Sequence, residues 1–470
     1  MLALLAGGLW LVLRPPPPLA LPPQGATLND VTVIQPGVSR AEHQRVVVEG
    51  GAIRSIEPAA PDGGPWSGAF VLPGLVDMHV HFPPSTLPGQ TELFAFLFLY
   101  HGVTTVRDAG DVDGTATDPA RRGVAEGRFP GPRMLACGLF VDGDPPLWKN
   151  SLVARNPEEG RRAVATIAER GYDCVKAYNG LDAETLAAIR EAAAERGLPV
   201  IGHVPRQVPY EEARLTDAQH LIGIAPPPDD PDLRFPLILT QWEKLDDVRL
   251  DALIAESVRS GIANTPTLVT VDRLIHSEDY ARMLQEPDLQ LLPRFYRDVV
   301  WNPQGGTSVA GELSPAGFAM VRRAFETMKR TVRRLHEGGA RIHTGSDTLI
   351  AFVVPGASLH RELRLLVDAG FTPEQALALS MRDSAADLGV PGLGELAPGA
   401  PADLLVFSED PTQSLDALDS LVGVMRDGRL YPRAALDAQL TRYRAHHDGA
   451  LFDAIVTPLV RRVLAATRGH

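Results

Sequence analysis

The chain has 470 residues, 44% of them apolar and 22% charged, which excludes wholesale disorder and leaves ample chain for a large core. At roughly 150 residues per domain it makes two or three domains, or one large barrel with attachments. Its 45 basic and 58 acidic side chains give a net charge of −13 with no basic stripe, which argues against nucleic acid as a partner.

Residues 1–13 are wholly apolar and are followed by Arg14 and the run Pro15 to Pro18. As a helix this run spans about 20 Å, short of the ~30 Å hydrocarbon core of a bilayer. The length suits a signal-peptide core, with Leu19-Ala20 ahead of a cleavage site. Against that, no positive charge precedes the run, and Arg14 follows it. The expectation for 1–25 is a signal or membrane-anchor segment with a Pro-rich linker. The chain is then exported (periplasmic or extracellular) or tethered to a membrane through its N-terminus.

Residues 29–58 read as short strands and turns, with strands at 31–34, 45–48 and 53–56. The tail mirrors them with 402–407 and 422–425, ahead of the turn Asp427-Gly428. Neither set buries a face alone, so 26–69 and 392–432 are expected to pair into one composite β-sandwich. Between them strands and helices alternate, with candidate strands at 70–79, 103–107, 133–140, 173–178, 199–203, 217–221, 263–270 and 340–346. Eight such repeats fit a (β/α)8 TIM barrel over 70–391, and a doubly wound sheet does not need eight. The connection 272–339 carries helices of its own, around 279–300 and 314–337, and follows strand seven, where it would cover the barrel mouth. Residues 433–470 read as a C-terminal helical extension. The two cysteines, Cys137 and Cys174, cannot build a disulfide framework. Buried free thiols are the expectation, with a bridge left open because strands three and four are neighbours.

Strand residues i and i+2 share a face, so His79 and His81 of Asp77-Met78-His79-Val80-His81 project together at the end of strand one. With 13 histidines in the chain, chance alone yields roughly 0.4 such pairs. The context is what raises the signal. His203 ends the fifth strand, His220 lies near the end of the sixth, and Asp347 closes the eighth. Lys176 sits on the fourth and is one of only four lysines among the 45 basic residues. These side chains collect at the C-terminal ends of the strands, where barrel active sites are built. Imidazoles and a carboxylate suit Zn²⁺, and a two-metal site needs a bridging anion between ions roughly 3.5–4 Å apart. An ammonium would be a poor neighbour there. A lysine carbamate formed with CO₂ carries the negative charge a bridge requires.

The stretch Val71-Leu72-Pro73-Gly74-Leu75-Val76-Asp77-Met78-His79-Val80-His81 resembles the entry motif of the amidohydrolase superfamily. So do His101-Gly102-Val103-Thr104-Thr105-Val106-Arg107-Asp108 and Pro398-Gly399-Ala400-Pro401-Ala402-Asp403-Leu404, and the likeness runs from about residue 27 to 432. Lys176 on strand four, with His203 and His220, is similar to the binuclear branch of imidazolonepropionase-like proteins and Xaa-Pro or Xaa-Arg dipeptidases. The resemblance implies one metal on His79, His81 and Asp347, a second on His203 and His220, and carboxylated Lys176 bridging them. Ser346 stands where a Thr is usual, and Ala177 follows the lysine; both departures are modest.

From these ligands follows the expected chemistry. Two divalent ions, Zn²⁺ by default although Mn²⁺, Fe²⁺ or Co²⁺ suit the same donors, make a shared water a bridging hydroxide at neutral pH. Asp347 takes its proton and passes it to the leaving amine. The expected reaction is hydrolysis of the amide C–N bond of a dipeptide or N-acyl amino acid. A cyclic amide or lactone is the alternative substrate. A retired binding protein would show a broken ligand, and none is broken.

Tyr178 shares its face with Lys176, and His360 follows strand eight; both are candidates for binding the small-molecule substrate. His276 is a further residue that could touch it. Arg107 and Asp108 are open to substrate binding or to pairing with each other. His343 reads as a core histidine, His101 as structural and His446-His447 as surface.

Overall fold

The computed structural model describes residues 12–230 and 233–468. The apolar run therefore lies almost wholly outside the described residues. Among them, no helix is long and apolar enough to cross a membrane.

The chain opens with β1 (Ala26–Gln35), β2 (Ser39–Glu49), β3 (Ala52–Pro58) and β4 (Phe70–Pro73). From Leu75 it enters a parallel barrel of β5 (Leu75–Val80), β6 (Val103–Asp108), β7 (Arg133–Ala136), β8 (Phe140–Asp142), β10 (Val175–Ala177), β11 (Val200–Gly202), β12 (Asp217–Gln219), β13 (Ala263–Thr265) and β14 (Arg341–Ile342). A short β9 (Leu152–Val153) lies beside β8. The last three strands, β15 (Leu404–Phe407), β16 (Leu421–Arg426) and β17 (Arg429–Pro432), return to the first four. Together they form one seven-stranded sheet in the order β17-β16-β15-β4-β1-β2-β3, built from both chain ends as expected. Its apolar interior holds Leu28, Val46, Ile53, Val71, Leu404 and Met425.

Two expected strands are divided. The stretch 70–79 is two strands, because β4 pairs with β1 and β15 in the small sheet and only β5 joins the barrel. Gly74 makes the turn between them: a Cβ there would stand 1.9 Å from Thr104 Oγ1. The stretch 133–140 breaks after Ala136, so β7 pairs with β6 while β8 pairs with β10, and the two halves share one barrel position. The barrel closes where Met78 N–H donates to Thr344 O (2.9 Å) and Asp347 N–H to His79 O (2.7 Å).

Cys137, at the break in strand three, is disulfide-bonded to Cys174, the residue before β10. This corrects the expectation of free thiols. Spacing alone did not show that the break brings the two side chains together.

Helices on the outside are stopped and started by readable signals. Asn156, Asp182, Asp246 and Ser314 each cap a helix by accepting a backbone N–H, and Thr372 and Gln375 form a capping box. After β13 the expected strand 263–270 ends early. Leu268–His276 is a helix because burial of Leu268, Val269, Val271 and Leu274 overrides the β-branched run. The expected helix over 279–300 is instead a series of short turns interrupted by Pro287 and Pro293, whereas Pro315–Glu337 is one long helix. Helices Arg433–His447 and Ala450–Arg468 close the chain.

The proline-rich segment is laid against the body. Val12, Leu13 and Leu19 pack on the main core. Gln439 Nε2 donates to Pro17 O (3.0 Å), Arg429 donates to Pro22 O, and Gln24 donates to Asp427.

Candidate active site

The ends of β5, β10, β11 and β12 and the turn after β14 converge at one end of the barrel. One ligand atom each from His79, His81 and Asp347 lies within 4.8 Å of the others, and all three residues are buried. Asp347 Oδ1 is 3.2 Å from His79 Nε2 and 3.4 Å from His81 Nε2. The His220 ring is 4.6 Å from that of His79 and 4.9 Å from that of His203. Lys176, 1% exposed, donates to Gln219 Oε1. All six residues expected to bind metal are thus brought together.

Three of the four imidazoles are held at Nδ1, and that of His220 also lies 3.9 Å from Asp347 Oδ2. His81 Nδ1 bonds Gly110 O (2.6 Å), His203 Nδ1 bonds Asn179 Oδ1 (2.9 Å) and His220 Nδ1 bonds Thr267 Oγ1 (2.6 Å). The oxygens of Gly110 and Asn179 can only accept, so Nδ1 of His81 and His203 carries the proton and Nε2 keeps its lone pair, whereas the Thr267 hydroxyl can serve either tautomer of His220. The buried Nδ1 of His79 has no partner among the described residues. Asp77, fully buried, accepts from Ser346 Oγ (2.6 Å) and Ser346 N–H (2.9 Å).

Electrostatics follow from burial. Desolvation holds His79 and His203 well below 6.5, with the Lys176 charge adding, and takes His220 down to about 4. Burial alone would raise Asp347, but the imidazoles of His79 and His220 hold it well below the carboxylate range. Burial lowers Lys176 to about 7 and pushes Asp77 up to about 7. The set therefore offers neutral imidazoles, an ionised carboxylate and a lysine close to neutrality, a donor set that fits divalent cations.

Backbone strain concentrates here. His220 (φ 59°), Thr267 (φ 48°) and Asp347 (φ 59°) all sit in the left-handed region. At His220 this breaks strand alternation, so that Gln219 and His220 both serve the site. Tyr178 stands 4.2 Å from His203 ring to ring and 5.0 Å from Phe140, which stacks on Trp148 at 6.0 Å. These three rings wall the site on the side of β8 and β10.

An amidohydrolase family model matches residues 70–431. The chain belongs to the amidohydrolase family. This amidohydrolase is accordingly a hydrolase of carbon–nitrogen bonds. It is similar to the bottromycin amidohydrolase at 25% identity and a TM-score of 0.72, with 90% of this chain and 91% of that one covered. A Xaa-Pro dipeptidase with bound methionine shares the fold at 19% identity and 0.63, over 87% and 100% of the two chains. The Aspergillus niger ochratoxinase shares it at 16% identity and 0.63, over 87% and 96%. No curated protein sequence matches the amidohydrolase.

Several expected residues lie elsewhere. His360 is not brought to the cluster: its Nε2 bonds His101 O (2.8 Å), its ring meets that of His101, and both line a cavity of about 280 Å³ with Tyr100 and Arg433. His276 bonds Asp272 O on its own helix. Arg107 pairs with Asp217 and not with Asp108, which accepts from Thr117 Oγ1 (2.8 Å). His343 is a core histidine between Asp217 and Asp387. His447 is buried against Tyr443 and Phe452, not on the surface. Asn179, Gln219, Thr267 and Ser346 were missed as supports. Only Ser346, inside the eighth-strand motif, carried any signal.

Proposed function

We propose that the amidohydrolase is a binuclear metalloenzyme that cleaves the amide bond of dipeptides or N-acyl amino acids. One observation carries this reading: a fully buried lysine, partnered by the neutral amide of Gln219, lies among four imidazoles and a carboxylate. His79, His81 and Asp347 would hold one cation, and His203 and His220 the other. Lys176 would join them as a CO₂-derived carbamate, with Zn²⁺ the ion that best suits the donors. Two such ions would supply a Lewis acid and a water of lowered pKa.

The remaining steps belong to the chain. Asp347 accepts the proton of the attacking water on a carboxylate oxygen and delivers it to the leaving nitrogen as the C–N bond breaks. Tyr178, Phe140 and Trp148 would exclude water and receive an apolar substrate group, with the Tyr178 hydroxyl donating to a substrate oxygen.

We also propose that the protein is exported and stays anchored through residues 1–13. The Cys137–Cys174 bond suits an oxidising compartment. The docked segment 12–25 supports retention of the N-terminus over cleavage after Ala20.

The test is zinc-loaded full-length protein against a library of dipeptides and N-acyl amino acids, with Asp347→Asn as the blank. Cleavage that is lost in the variant supports the reading. Silence with two ions bound would replace the substrate class by cyclic amides or lactones, and metal content near zero would overturn the metalloenzyme.

A further inference from the structure

The geometry points to Glu362 as the residue that positions His220, acting through the backbone of Leu268 and Val269 and the hydroxyl of Thr267. The inference rests on the reading above that His220 holds a metal.

Glu362 is fully buried on the helix Ala357–Asp368, and its carboxyl oxygens bond the backbone of another helix. Its Oε1 accepts from Leu268 N–H at 3.0 Å and its Oε2 from Val269 N–H at 2.7 Å. Those are the first amides of the helix Leu268–His276. Such amides are ordinarily satisfied by the side chain of the preceding residue. Here that residue is Thr267, and it makes no cap bond. Its hydroxyl is turned instead to His220 Nδ1 at 2.6 Å. Glu362 takes over the capping, from a helix far away in sequence, and frees Thr267 to hold the imidazole.

The backbone agrees. Thr267 is fully buried at φ 48°, a conformation that a β-branched residue keeps only when its surroundings hold it. One turn further along, Arg361 grips Asp272 of the same helix with two bonds, at 3.0 and 2.9 Å. Consecutive residues of one helix thus fasten the start of the other, with the metal-ligand support at its tip.

The experiment compares the full chain with Glu362→Gln, Thr267→Val and the double variant. The readouts are Zn²⁺ affinity by competition with a chromophoric chelator, melting temperature, and the His220 tautomer by imidazole ¹⁵N NMR in metal-free protein. Each single variant should weaken the more loosely held ion about 10- to 100-fold. The double should be no more than about threefold weaker than the worse single, because both break one chain of contacts. Glu362→Gln should also mix the His220 tautomers, which a purely structural residue would not do. Glu362→Asp, which keeps the carboxyl group on a shorter stem, should fall between and serves if Glu362→Gln does not fold. Thr267→Ser, which keeps the hydroxyl, should bind as the parent does. A lower melting temperature with unchanged affinity and tautomer would overturn the inference, as would losses that multiply in the double. A parent that binds no metal would instead refute the metal reading, with the tautomer still deciding the role of Glu362.

Discussion

A backbone carbonyl, a side-chain amide and a hydroxyl each orient one imidazole: Gly110 for His81, Asn179 for His203 and Thr267 for His220. Asn179→Ala should therefore release the His203 ring and cost about 10- to 100-fold in metal affinity while the fold persists. Retention of both ions through dialysis against a weak chelator would count against it. The carbamate proposed on Lys176 makes a separate prediction. Zinc loading in CO₂-stripped buffer should give substoichiometric metal, and added bicarbonate should restore it, read by atomic absorption. His343 carries a pH signature. Burial alone would lower its pKa, but the carboxylates of Asp217 at 3.5 Å and Asp387 at 2.7 Å raise it above the ordinary 6.5. A raised folded-state pKa stabilises fully below the unfolded value and is lost as pH climbs through the folded one. His343→Asn should thus cost about 3 kcal/mol near pH 6, and the gap should narrow in alkali. Urea titrations of both proteins at pH 6 and pH 9 check this, and a gap that widens with pH refutes it.

At the level of elements, the broken third strand is the distinctive feature. Its halves β7 and β8 pair with different neighbours, and the Cys137–Cys174 bond ties the break to β10, two residues from Lys176. The bond closes a loop with a sequence separation of 37, which in the chain-entropy account stabilises by about 4 kcal/mol. Replacing both cysteines by Ala should lower the urea midpoint accordingly, with zinc affinity measured alongside to show whether strand four has moved. Asn156, Asp182, Asp246 and Ser314 each cap the helix that follows them in the chain. The helix Leu268–His276 differs, because its cap comes from Glu362 on another helix.

At the scale of the whole molecule, the segment 12–25 joins the small sheet to the flank of the barrel. Pro15 lies against Gly89 at the start of the helix Gln90–Tyr100, and Pro17 and Pro22 bond residues of the C-terminal region. Removing it uncovers apolar surface beneath Val12, Leu13 and Leu19. A chain starting at residue 26 should be less stable than one starting at residue 12 by roughly 2 kcal/mol, measured by thermal melting. Equal melting curves would show the docking to be incidental.

The barrel, the sheet built from both chain ends and the six side chains that converge at the barrel mouth were all legible in the chain. Alternating apolar strands and amphipathic helices report burial directly, and His79, His81, Lys176 and His203 stand at strand ends, with His220 and Asp347 just past them at left-handed backbone angles. Tertiary contact decided what local pattern does not encode. It joined Cys137 to Cys174, sent His360 to His101 and not to the histidine cluster, and turned Thr267 to His220. Each of these depends on a partner tens to hundreds of residues away or on a left-handed backbone angle. Sequence periodicity carries burial and face, whereas pairing and orientation come only from the closed fold.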